Sequence, residues 1–242
     1  MKLIYLWDRI LGSKLGYRIQ QSVVRNMTPG VIFGEWWPYP AGGQSRRIKK
    51  IIELIDSFKP DLIIETGTFI ASTTPLLATL SRAPVVTIEI NPRLAHRNRE
   101  LFRSRFPHLQ IRQVIGSSEI ELTKILGTTS KEVRVLAYLD AHWFDYLPVT
   151  DEITALSNWG GKFIAVIDDF KVEGDEGYGW DEYRSGQWIG QHLIPNRKNL
   201  TVFVPAQNSQ TEGMGRRGTA YVFGPNVIST ENSIDLSGLR QI

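Results

Sequence analysis

VRVLAYLDAHWF, residues 133–144, is an apolar, β-rich run that stops on an acid, Asp140, with His142 two residues further on. Strands buried in a parallel sheet read as near-continuous apolar runs because both faces are covered. In open α/β sheets a ligand sits beyond the carboxyl ends of the strands, so an acid at such an end stands where chemistry occurs. FIAVIDD, residues 163–169, repeats the pattern and ends on Asp168 and Asp169. From these two runs we expect Asp140, Asp168 and Asp169 to converge on one hard cation. Carboxylates and water are the natural shell of Mg²⁺.

Working outward, the same alternation fills the chain on both sides. Ile48, Ile51, Ile52, Ile55 and Phe58 recur at helical spacing, with Arg46, Arg47, Lys49 and Lys50 on the other side, and Pro60 ends that helix. Leu62 to Glu65 is a short strand ending on an acid. The turn Thr66 to Ser72 follows, and Thr74-Pro75 reads as the N-cap and first position of a helix. Strand, glycine turn and helix together place backbone N–H groups beside a ligand. Val85 to Ile90 is the next strand, with Glu89 near its end. Asn91-Pro92 caps a helix to about Phe106, and Ile111 to Ile115 is a third strand. Ser118 with Glu121 gives a capping-box signal for a helix to about Leu126. Pro148 to Asn158 is helical, with Thr150 as N-cap and Gly160-Gly161 at its end. Leu200 to Val204 and Thr219 to Phe223 suit an antiparallel pair.

The fold expected is therefore α/β, a doubly wound, seven-stranded, mostly parallel sheet with an antiparallel hairpin at one edge. Residues 1–40 read as a helical arm and an irregular, aromatic and proline-rich segment, and residues 41–242 as one domain.

Composition narrows the function. The 242 residues contain no cysteine, which excludes disulfides, thiolate nucleophiles and thiolate zinc sites and is compatible with a cytoplasmic protein. A net charge of +3 demands no polyanionic partner. The basic helix bearing Arg97, Arg99, Arg103 and Arg105 lacks the interleaved aromatics of a single-strand surface and reads as a solvated face. No apolar run reaches the ~18 residues of a membrane span. The N-terminal stretch, with Lys2, Arg9, Lys14 and Arg18 on its polar side, reads as an amphipathic docking helix, against the domain or a second copy in a homo-oligomer, with peripheral membrane contact as the alternative. His96, His108 and His192 carry no motif.

IIETGTFIASTT (Ile63 to Thr74), VVTIEINP (Val85 to Pro92), VIGSSE (Val114 to Glu119), LDAHWFDYLP (Leu139 to Pro148) and VIDDF (Val166 to Phe170) occur in this order. Together they resemble class I S-adenosylmethionine-dependent methyltransferases, and within them the metal-dependent O-methyltransferases of the catechol type and their antibiotic-sugar relatives. The resemblance implies a Rossmann-like fold and cofactor contacts at Glu65, Gly67, Thr68, Phe69, Ser72, Glu89, Ile90, Ser117, Ser118 and Asp140. Glu65 would lie near the sulfonium and amino group, Glu89 at the ribose hydroxyls, and Ser117 and Ser118 near the adenine. It also aligns Asp140, Asp168 and Asp169 with the metal ligands. Ala71 stands where the family often has a second glycine. Asp168-Asp169 occurs in the antibiotic-sugar branch, where others have Asp-Asn, and this tilts the acceptor toward a polyol.

Such chemistry needs an oriented nucleophile, and a divalent cation lowers the pKa of a bound hydroxyl. His142, with an unperturbed pKa of ~6.5, is the expected base, with Asp145 and Tyr146 as nearby alternatives. The loop with Tyr178, Trp180, Asp181 and Tyr183 reads as a substrate lid, and Trp36, Trp37 and Tyr39 as a second wall. Competing readings are a non-catalytic nucleoside-binding module and a metal-independent methyltransferase. A dinucleotide oxidoreductase is disfavoured because the turn at Gly67 lacks G-x-G-x-x-G.

Overall fold

The computed structural model describes residues 39–142, 147–183, 186–195, 199–225, 227–230 and 234–242. The N-terminal arm with Trp36 and Trp37, and the alternative bases Asp145 and Tyr146, lie outside these residues.

The strands are β1 (Leu62–Thr66), β2 (Val85–Glu89), β3 (Ile111–Ile115), β4 (Val135–Leu139), β5 (Phe163–Ile167), β6 (Thr201–Pro205), β7 (Ala220–Phe223) and β8 (Leu239–Gln241). The helices are α1 (Ser45–Phe58), α2 (Thr74–Ser81), α3 (Pro92–Arg105), α4 (Ser118–Gly127), α5 (Val149–Trp159) and a short α6 (Val227–Thr230). The strands form one sheet in the order β3-β2-β1-β4-β5-β7-β6-β8. β3 to β5 of that order are parallel, and β7, β6 and β8 add antiparallel pairs at one edge.

The central strands are apolar throughout because alternate residues bury on opposite faces. Val135, Ala137 and Leu139 of β4 and Phe163, Ala165 and Ile167 of β5 meet Leu122 and Leu126 of α4 and Ile153 and Leu156 of α5. Leu136, Tyr138, Ile164 and Val166 face the other layer, with Ile51, Leu54 and Phe58 of α1 and Leu77 of α2. The strand order reverses between β1 and β4, which opens a crevice at their carboxyl ends.

Among the described residues the sheet has eight strands, where seven were expected. The extra one, β8, lies in the polar tail: it is three residues long, and only its pairing to β6 makes it a strand. Several helix starts also move. Thr74 is the first residue of α2, and the N-cap position falls to Thr73. The Thr73 hydroxyl accepts from the Ala41 amide instead, at 3.0 Å. α4 is preceded by Ser117 rather than Ser118, and Glu121 pairs with Lys124 rather than closing a capping box. Thr150 lies inside α5, where its hydroxyl donates to the Leu193 carbonyl at 2.9 Å. Asn91 does cap α3, accepting from the Arg93 and Leu94 amides.

Two basic stretches are less solvated than their sequence implied. Arg47 is 2% exposed on α1, and Arg97 is buried on α3, where Arg99 also donates to the Gln113 carbonyl. No helix among the described residues is long and apolar enough to cross a membrane.

Candidate active site

Two cavities meet at the turn after β1. One, of about 280 Å³, is lined by Phe69, Ile88, Glu89, Ile90, Ser117 and Ser118 among others. The other, of about 290 Å³, is lined by Glu65, Ser72, Asp140, Asp168, Asp169, Arg47 and Arg217 among others. Gly67 and Phe69 border both. The first is mostly apolar and suits a flat base; the second is strongly charged.

The turn that separates them is held by backbone geometry. Gly67 has φ +81°, and a Cβ there would lie 2.1 Å from the Asp140 carbonyl oxygen. The glycine is thus required by the close approach of the β1 and β4 ends, before any ligand is considered. Phe69 and Ala71 also take positive φ, at 45° and 60°, a conformation uncommon for non-glycine residues. Ala71 therefore keeps the backbone that a glycine would adopt, with its methyl buried against Leu101 and Phe102.

Glu89 ends β2. Its Oε2 accepts from the Phe69 amide and its Oε1 from the Asn91 amide, both at 2.8 Å. Glu65 is buried, and burial pushes its carboxyl up to about 7, against the lowering effect of hydroxyl donors from Thr74 and Thr87 and with a further push from Glu89. Thr68 lines the charged cavity, and its hydroxyl bonds that of Thr87 at 2.5 Å.

At the second cavity the three aspartates share one wall but have different partners. Asp168 receives the Arg47 guanidinium at 2.5 Å, the Tyr138 hydroxyl at 2.8 Å and the Asp169 amide at 2.7 Å. Asp169 has φ +54° and binds Arg217 Nε at 2.5 Å. Burial would raise the Asp169 carboxyl, but His142 and Arg217 outweigh it and hold it low. Among the described residues, no arginine is paired with Asp140 as Arg47 and Arg217 are with its neighbours. A third of its side chain is open to the cavity, yet it lies deep, and burial with the charges of Asp168 and Asp169 lifts it well above the ordinary range.

His142 lies behind this wall. Its Nε2 is 3.6 Å from Asp140 Oδ1 and 3.5 Å from Asp169 Oδ2, beyond ordinary hydrogen-bond length. Its side chain is 1% exposed and lines neither cavity. Among the described residues, no group of three His, Asp or Glu side chains stands ready-made to hold a metal ion.

The expected lid is pinned down. Tyr178 is buried, and its hydroxyl donates to the Gln207 carbonyl at 3.2 Å, so it belongs to the core. Lys171 sits 4.5 Å from the Trp180 ring centre and 4.6 Å from that of Trp188. Asp181 lines the charged cavity and pairs with Arg217 at 2.6 Å. The Tyr183 hydroxyl donates to the His142 carbonyl at 2.6 Å. Tyr39 lines the same cavity as Asp181.

Sequence reasoning missed Arg47, Arg217, Tyr138, Thr87 and Gln113. The one signal for Tyr138 and Thr87 was a polar group inside an otherwise apolar strand, and Gln113, next to Arg112 in its strand, lacked even that. Arg217 carried none, because it reaches Asp169 from 48 residues away.

Against known families, residues 35–187 match the model described as Rhamnosyl O-methyltransferase/CmcI. That span covers more than half of the chain and contains both cavity floors. The chain belongs to the rhamnosyl O-methyltransferase/CmcI family. It is an S-adenosylmethionine-dependent methyltransferase. No protein of curated function matches its sequence. Among solved structures it resembles an O-methyltransferase from Bacillus cereus in complex with S-adenosylhomocysteine, with TM-score 0.53 and 13% identity over 91% of this chain and 95% of that one. It also resembles a putative O-methyltransferase from Klebsiella pneumoniae (0.52, 12%, 90% and 89%). A third is a putative caffeoyl-CoA O-methyltransferase from Staphylococcus aureus (0.51, 12%, 92% and 98%). At these identities the likeness concerns the fold.

Proposed function

We propose that this family member methylates a hydroxyl of a small polyhydroxylated acceptor, a sugar or polyol in preference to a catechol, with a divalent cation such as Mg²⁺ in the charged cavity. We place the reaction in the cytosol, on a small molecule rather than a nucleic acid. The observation that carries it is the meeting, at Gly67, of an apolar cavity ending on Glu89 with a cavity walled by Asp140, Asp168 and Asp169.

Three carboxylates on one wall are the donor chemistry a hard cation takes, although among the described residues they do not stand ready-made around one point. Burial first, and then the charges of Asp168 and Asp169, push the Asp140 carboxyl up, and a divalent ion would relieve the repulsive part. When bound, the sulfonium supplies an activated methyl group and the cation lowers the pKa of the acceptor hydroxyl. The chain does the rest. Phe69, Ile88 and Ile90 exclude water from the base, with Ser117 and Ser118 at its edge. Glu89 accepts the ribose hydroxyls, and Glu65 faces the cationic amino end. Asp140, Asp168 and Asp169 hold the acceptor end. His142, 3.6 Å from Asp140 Oδ1 and 3.5 Å from Asp169 Oδ2, is the base we propose for the acceptor's proton, which it could reach only if the wall opens.

Turnover with S-adenosylmethionine over a panel of sugars, polyols and catechols is expected to stop with a chelator and return with Mg²⁺. Asp140→Ala is expected to abolish turnover while S-adenosylhomocysteine affinity stays within about tenfold, ~1.4 kcal/mol. Full turnover in that variant would remove the metal site.

One observation favours a metal-independent version. Arg47 and Arg217 already place guanidinium groups on Asp168 and Asp169. Chelator-insensitive turnover would select that reading.

A further inference from the structure

Glu65, Thr87 and Gln113 are Cα partners across β1, β2 and β3, so they share one row and one face of the sheet. All are buried. Their side chains form a continuous chain through the turn residue Thr68. Gln113 Nε2 lies 3.0 Å from Thr68 Oγ1, Thr68 Oγ1 lies 2.5 Å from Thr87 Oγ1, and Thr87 Oγ1 lies 2.6 Å from Glu65 Oε2. Thr74 Oγ1 reaches the same Glu65 oxygen at 2.5 Å.

The direction of each bond follows from the ends. An ionised carboxylate only accepts, so Thr87 spends its one proton on Glu65. Thr68 must then donate to Thr87, and the Gln113 amide to Thr68. Gln113 Nε2 faces only acceptors, with the Thr87 and Val114 carbonyls at 3.2 and 3.1 Å, which holds its N–H side toward the relay. Packing does not call for these groups: valine fills the volume of threonine, and the rest of β2 is apolar but for Glu89.

We infer that Thr87 and Gln113 are positioning residues for Glu65, binding its Oε2 so that Oε1 is presented to the amino group of the S-adenosyl ligand. This rests on Glu65 being a cofactor contact. The groups facing Glu65 explain why a relay is needed. Glu89 approaches from β2, Asp140 from the end of β4, and Asp168 and Asp169 from the end of β5. The cations of the cavity, Arg47 and Arg217, are engaged by Asp168 and Asp169. α2 carries no charge toward it, only the Thr74 hydroxyl. Neutral donors are what favour the ionised form of Glu65 from below.

The test is calorimetric titration of the full chain with S-adenosylhomocysteine from about pH 5.5 to about pH 8.5, a range that brackets Glu65. Binding by the unaltered chain should rise with pH as Glu65 ionises. Thr87→Val should bind at least about tenfold more weakly near pH 7, with the rise moved to higher pH because the charged form has lost a donor. Thr87→Ser, which returns the hydroxyl, should restore both affinity and midpoint. If Thr87→Val does not fold, Gln113→Leu at the far end of the relay should shift the midpoint the same way by less. Unchanged affinity and midpoint in Thr87→Val, or a Thr87→Ser variant as weak as the valine, overturns the relay. No binding by the unaltered chain at any pH overturns the cofactor role of Glu65 itself.

Discussion

Glu65 is buried at the end of β1 with its carboxyl pushed up to about 7, largest by desolvation. The folded state therefore binds a proton more tightly than the unfolded chain, whose glutamate titrates at 4.5. Stability from this group is intact below about pH 4.5 and is lost as pH rises through about 7, a shift of roughly 3 kcal/mol. Ligand-free Glu65→Gln should accordingly be more stable than the unaltered chain at pH 8, by up to roughly 3 kcal/mol, with the difference closing toward pH 4.5. Thermal melts across pH measure it, and equal melting points at pH 8 would contradict it. The same residue was readable in the sequence as an acid at a strand end. Its raised pKa was not, because burial and the placement of Thr74 and Thr87 around Oε2 come from three elements.

At the scale of elements, α1 was legible from its apolar spacing, but the role of one of its basic residues was not. A guanidinium reads as solvated unless something in the fold receives it. Arg47 is received by Asp168 at 2.5 Å and by the Arg217 and Gly218 carbonyls at 2.8 and 3.2 Å. It joins α1 to the end of β5 and to the segment leading into β7. Removing one partner of a buried pair leaves an uncompensated charge, which costs about 3–5 kcal/mol. Arg47→Met should lower the melting temperature by about 10 °C. Arg47→Lys should recover little of this, since an ammonium cannot serve three acceptors fixed in a fork. A melting point unchanged in Arg47→Met would show the pair to be idle. The loop after β5 follows the same logic. Its aromatic residues looked like a lid, whereas Tyr178 packs in the core with its hydroxyl on the distant Gln207 carbonyl, and Trp180 is engaged with Lys171 of the same loop.

At the scale of the whole molecule, the chain is packed from residue 41 onward, where the domain was expected to begin. Ala41 is buried and its amide donates to Thr73 Oγ1. The Gln44 side chain bonds the Arg217 backbone in both directions, at 2.8 and 2.7 Å. The family match begins at residue 35. We propose that the folding unit starts near residue 35 and that the arm before it is separable. A chain beginning at residue 35 should keep its melting point and its S-adenosylhomocysteine binding. One beginning at Ser45 should lose about 2–4 kcal/mol, through orphaned buried hydrogen-bonding groups. A Ser45 start that melts like the full chain would place the boundary later.

Period and punctuation in the residue order were enough for the alternation of strands and helices, the parallel core, and the acids at the ends of β1, β2, β4 and β5. Those features are local: a buried strand is apolar on both faces wherever it lies, and its ending is marked within a few residues. The partners of those acids were decided by strand order and packing. Tyr138 and Arg47 reach Asp168, Arg217 reaches Asp169, and Thr87 reaches Glu65, with Gln113 bonded to Thr68 behind it. Nothing within a few positions of an aspartate says which cation will arrive from elsewhere in the chain, because charge pairing is set by distance in space. The three-residue β8 belongs to the same class, since it exists only where β6 offers an edge to pair with.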